Sequence, residues 1–138
     1  MKVLAILFIA APIFGVLATT PAELAAKIQA HHQECSKLSK VDSQVLSKAR
    51  TGQIEESNVA LREHIFCFGK KAGLINEAGD LQENVIKTKL GSQVKDAAAV
   101  DKVYKLCNAT KKGDDKKLFI TQVLICYYKN IPAGVVIL

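Results

Sequence analysis

From Leu24 to Tyr127 the apolar positions recur three and four residues apart, and no stretch alternates long enough for a strand, which predicts an all-α fold of about six helices. Thr20-Pro21-Ala22-Glu23 has the form of a helix start: a hydroxyl N-cap, proline at the first helical position, and a glutamate placed to reach back to the cap. Behind it Leu24, Ile28, His31 and Cys35 fall on one face, which aims Cys35 inward. Asp42 caps a short second helix through Ala49, and Gly52 stands where glycine stops a helix in the left-handed conformation. A longer helix is predicted from about Asn58 to Ala72, with Leu61, Ile65, Phe68 and Ala72 as its stripe and Gly73 just past its end. Gly79-Asp80 punctuates the chain before Leu81, Val85 and Ile86, and Gly91 closes that fourth helix. Asp96 caps the fifth, in which Val100, Val103, Tyr104 and Cys107 share a face. After a polar turn from Lys111 to Asp115, the last helix runs from about Lys116 to Lys129 with Phe119, Val123, Cys126 and Tyr127 aligned, and Pro132 ends it. Ala133 to Leu138 carry no charged side chain. Such a tail left in water promotes association, so it is read as folding back onto the domain as a lid.

The chain's first residues have a different character. Lys2 precedes an apolar run from Val3 to Leu17 broken only by Pro12 and Gly15, and Val16-Leu17-Ala18 offers small residues for cleavage. Residues 1–18 are therefore expected to be a signal peptide and 19–138 one helical domain. No later segment approaches the roughly 20 apolar residues of a membrane helix, so a secreted, soluble chain without stable membrane insertion is expected.

Without Lys2 the formal net charge falls from +6 to +5, and the basic residues are interleaved with acidic ones. Lys111-Lys112 and Lys116-Lys117 flank Asp114 and Asp115 and read as a solvated loop. No aromatic residues interleave with these lysines, so nucleic acid is not an expected partner. Four cysteines, Cys35, Cys67, Cys107 and Cys126, make an even number in a chain bound for an oxidising compartment, which predicts two disulfides in one of three connectivities. None of them forms a C-x2-C unit, so no metal is expected.

The spacing Cys35-x31-Cys67-x39-Cys107-x18-Cys126 resembles that of the insect odorant-binding family, comprising pheromone-binding and general odorant-binding proteins, in the branch that lacks two of six cysteines. At the places of the family's second and fifth cysteines, which pair with each other, stand Glu63 and Lys117. The resemblance implies Cys35–Cys67 and Cys107–Cys126 as the remaining bonds, and the helical phases allow both. Two exposed residues unrelated to each other are expected at Glu63 and Lys117, with an ion pair as the alternative. Lys48-Ala49-Arg50 with Gly52, Phe66-Cys67, Lys71-Ala72-Gly73-Leu74 and Gly79 are similar to beetle haemolymph proteins of this branch and more distantly to male accessory-gland members.

The family implies six helices around an apolar cavity, hence a secreted carrier of a small lipophilic ligand such as an odorant, pheromone or fatty acid, in haemolymph, sensillar lymph or reproductive fluid. The wall is then expected from Leu24, Ile28, Leu61, Ile65, Phe68, Val85, Ile86, Val100, Val103, Phe119 and Val123, with Tyr104 and Tyr127 offering phenols to a ligand head group. His31 and His64 fall near inward faces, where an imidazole changes charge between pH 5 and 8, but partly buried, hydrogen-bonded histidines are the expectation. Catalysis and cofactors are not expected: His31, His32, Glu34, Glu63 and His64 lack the H-E-x-x-H spacing, and neither a G-x-S-x-G elbow nor a phosphate-cradling glycine loop occurs. The alternative is a secreted helical protein acting through its surface. Asn108-Ala109-Thr110 matches the glycosylation sequon, read as unoccupied so close to a helix end.

Overall fold

Among the described residues, five of the six helices start on a side chain that satisfies their first amide groups. The computed structural model describes residues 20–138, in which α1 spans Pro21–Ser39, α2 Ser43–Arg50, α3 Val59–Lys71, α4 Glu83–Gly91, α5 Ala97–Asn108 and α6 Lys116–Asn130. The expected signal peptide lies outside the described residues. Thr20 and Glu23 complete a capping box, and Asp42, Asn58, Asp96 and Asp115 each accept from amides in the first turn of their helices. Only α4, entered at Gln82, lacks a side-chain cap. Among the described residues the one departure toward β structure is an isolated bridge between Ile75 and Leu81.

Helix α1 packs on α3, α3 on α6, α6 on α5 and α5 on α4. Two of these junctions are covalent: Cys35–Cys67 joins α1 to α3, and Cys107–Cys126 joins α5 to α6. Gly52, at φ +90°, turns the chain out of α2 directly beneath Tyr128, whose ring would stand 3.2 Å from a Cβ placed there. Both the backbone angle and the close approach therefore select glycine.

After α6 the chain reverses and buries Val135, Ile137 and Leu138 in the common core. Gln93 clasps Val136 with both ends of its amide, donating to the carbonyl at 2.8 Å and accepting from the N–H at 2.9 Å. The Tyr128 hydroxyl accepts from the Ile137 and Leu138 amides at 3.3 and 3.4 Å and donates to the Arg50 carbonyl at 3.2 Å. These contacts fix the uncharged tail against the body.

Three expectations are corrected. Leu24 is 53% exposed, because α1 buries only His32 and Cys35 and Leu24 lies roughly 12 Å down the helix axis from His32. Val85 is 40% exposed, because Ile86 and Leu90, four residues apart, define the buried row of α4 and Val85 is turned about 100° from Ile86. Glu63 and Lys117 are joined after all: the carboxylate and ammonium form an ion pair between α3 and α6. Both side chains are 43% exposed, so solvent screens them. Glu63→Ala or Lys117→Ala is expected to lower stability by less than about 1 kcal/mol in urea unfolding. A loss near 3 kcal/mol would mean that the ion pair replaces a disulfide in strength as well as in place.

Candidate functional site

Where α3, α4 and α6 converge, their inward side chains leave a gap. A cavity of about 60 Å³ lies between Ile65 and Phe68 of α3, Ile86 and Leu90 of α4, and Ile120, Val123, Leu124 and Tyr127 of α6. Leu74, Ile75 and Leu81 close one side, and Ile137 and Leu138 of the tail close another. Gly69 belongs to the same wall, where a Cβ would meet the Ile75 side chain at 3.3 Å. The space suffices for a few waters and not for a long alkyl chain.

Of the residues named from the sequence, Ile65, Phe68, Ile86, Val123 and Tyr127 line this cavity. Val100 and Val103 line a separate gap of about 30 Å³ with Leu90, Val94 and Ile131. Leu61, Tyr104 and Phe119 are buried away from both, and Ile28 is half-buried against the core. Asn108 is exposed at the end of α5. Ile120 and Leu124 were missed because α6 packs on α3 and α5 at once, so it buries a second row beside the one containing Phe119, Val123 and Tyr127. The uncharged tail was the sequence signal for Ile137 and Leu138.

The wall carries few polar groups. The Tyr127 hydroxyl is buried without a hydrogen-bond partner, and burial pushes its pKa up, so the phenol stays neutral. Tyr104 lies under the Lys87 ammonium, 4.9 Å from its ring centroid, and Lys87 is itself tied to Glu83 and Asp101.

Behind Phe68 lies a histidine pair. His32 Nδ1 and His64 Nε2 are 3.0 Å apart and share one hydrogen bond, while the Ser36 hydroxyl stands 3.4 Å from His64 Nδ1. His32 stacks on Phe68 at 4.3 Å, and its Nε2 is buried without a partner. Burial first and the Arg50 charge second pull both pKa values down to about 4. Both imidazoles are therefore neutral between pH 5 and 8. The inward face passes through His32, with His31 half-buried and edge-on to Phe68. Among the described residues no cluster of three or more histidine, cysteine or acidic groups could hold a metal, and no helix is long and apolar enough to cross a membrane.

Comparison with known proteins matches residues 17–130 to the model of the PBP/GOBP family. The B1 and B2 proteins of Tenebrio molitor are each 26% identical over 99 residues, which cover 72% of this chain and 74% and 75% of theirs. Among solved structures, the fatty acid binding protein OBP56a from the oral disk of the blowfly Phormia regina superposes with a TM-score of 0.62 at 26% identity, over 83% of this chain and 96% of that one.

Proposed function

We propose, from the premise that this chain belongs to the PBP/GOBP family, that it carries a small apolar molecule in the cavity between α3, α4, α6 and the C-terminal tail. It is a binding protein and not an enzyme. The observation that carries the reading is the wall itself: aliphatic and aromatic side chains from three helices surround a gap plugged by two residues of a tail held by hydrogen bonds. A guest gains about 25 cal/mol for each Å² of apolar surface it buries, before the cost of association. To enter, it takes the place of Ile137 and Leu138, which in the empty protein keep the cavity from standing open to water. Tyr127, with its unused hydroxyl, orients a hydroxyl or carbonyl on the guest. Residues 1–18 act as the signal that sends the domain of residues 19–138 into extracellular fluid, where two disulfides suit an oxidising medium. The blowfly fatty acid carrier supports lipophilic acids among the guests alongside odorants and pheromones.

The test is binding of the lipophilic fluorophore N-phenyl-1-naphthylamine, with and without Val123→Phe, a substitution that fills the cavity from α6. The wild-type protein is expected to bind the probe, and the filled variant to bind it about tenfold or more weakly with its helical circular dichroism unchanged. Equal binding by both would move the site elsewhere. No binding of probe or competing lipid by the wild-type protein would favour action through the surface.

A further inference from the structure

Lys89 sits on the buried side of α4, three residues after Ile86, and its side chain forms part of the cavity wall. Its ammonium stands over the Phe68 ring, 5.2 Å from the centroid. Some described lysines meet carboxylates, as Lys71 does Glu34, Lys87 Glu83 and Asp101, and Lys112 Asp80, and those without a partner are exposed, apart from Lys89, which is half-buried. Lys89 has no acidic side chain within 4 Å among the described residues, and neither has Arg50. Both of these cations act on the buried His32, and the charges that reach it are all positive. An aromatic face attracts a cation without neutralising it. The alkyl stem of Lys89 lines the cavity, and its ammonium stands at the edge of that apolar wall, beside the Phe68 ring and without a carboxylate to meet it.

Given the carrier reading, we infer that Lys89 selects guests with a carboxylate head: the carboxylate pairs with the Lys89 ammonium beside Phe68, and the alkyl chain fills the space bordered by Ile65, Val123 and Leu124. A pair formed out of contact with bulk water is stronger than one on the surface, and the bond is charge-assisted on both sides. Burial already pulls the lysine pKa down, so an entering carboxylate relieves an unfavourable charge, which a neutral alcohol or ester does not. Among the described residues no other charged side chain lines the cavity, so a monoanion matches the site and a phosphate monoester would carry a second charge with no cation to meet it.

The disulfide-intact protein and its Lys89→Met and Lys89→Arg variants are compared for displacement of N-phenyl-1-naphthylamine by myristic acid, 1-tetradecanol and methyl myristate. The wild-type protein is expected to prefer the acid over the ester by about tenfold or more. Lys89→Met should abolish that preference by weakening the acid about tenfold while the alcohol, ester and probe stay within about twofold, and Lys89→Arg should retain it. Unchanged acid affinity in Lys89→Met, or an equal loss for all three lipids, overturns the assignment and leaves the carrier reading standing. Failure of the wild-type protein to bind any of the lipids or the probe overturns both.

Discussion

Replacing Cys35 and Cys67 together by alanine is expected to lower the thermal midpoint by about 10–15 °C. The bond closes a segment whose ends are 32 residues apart, and the chain-entropy treatment of the unfolded state gives it about 3.7 kcal/mol, against about 3.3 kcal/mol for Cys107–Cys126 with a separation of 19. Loop length enters as a logarithm, so the two bonds contribute nearly equally to global stability. Their local effects differ. Among the junctions between helices, α1 has its main one with α3, where His32 and Cys35 are buried, so the loss of the covalent link falls on the junction that holds this helix. Hydrogen exchange should therefore rise along α1 in the Cys35→Ala/Cys67→Ala protein while α3 to α6 keep their protection. In Cys107→Ala/Cys126→Ala the loss should appear in α5 and α6 and reach the cavity wall. Calorimetry with exchange mass spectrometry checks both; a midpoint shift below about 3 °C, or exchange spread evenly over the helices, would contradict the account.

Glu63 and Lys117 meet as an ion pair between α3 and α6, and their meeting shows what sequence spacing does and does not carry. The four cysteines left three pairings open, and resemblance alone narrowed them. Whether two charged residues on different helices meet depends on how α3 and α6 cross, which no local pattern records. Helix starts were legible because capping is local: Thr20, Asp42, Asn58, Asp96 and Asp115 act on amides two or three residues away. Burial was less so. Leu24 and Val85 fit an apolar row yet face outward, since the neighbouring element decides which side of a helix is covered. Lys89 is the converse case, a residue type normally solvated that shares the wall because Ile86 and Leu90 turn that side of α4 inward. Its position three residues from Ile86 was in the sequence; the absence of any nearby carboxylate was not.

Acidification is expected to reduce stability most between pH 6.5 and pH 4. His32 and His64 have folded-state pKa values of about 4 against an ordinary value of 6.5, so on entering this window the unfolded chain takes up protons that the folded one does not. The stability associated with the two neutral imidazoles is complete above pH 6.5, declines as pH falls, and levels off once the folded state is also protonated near pH 4. At 1.36 kcal/mol per pKa unit, the ceiling is about 3 kcal/mol for each histidine. The sum is smaller. One proton added to the pair still allows an N–H of one ring to meet the lone pair of the other across their 3.0 Å contact; the second sets two N–H groups against each other and breaks the bond. Even one such step is a large share of a typical 5–15 kcal/mol. The carboxylates held below their usual range, Glu34, Asp80, Asp101 and Asp115, lose their contribution at lower pH, Glu34 from 4.5 downward and Asp101 between 3.8 and about 2, so the two windows meet only at the lower edge of the first. Urea unfolding at pH 7.5, 5.5 and 4.0 should show the decline in the wild-type protein and flatten it in His32→Gln/His64→Gln, which retains polar groups without titrating. An equal decline in the variant would assign the acid sensitivity to groups outside this pair. Because His32 is stacked on Phe68, the wall on α3 is where the loss begins, and cavity and core are expected to weaken together.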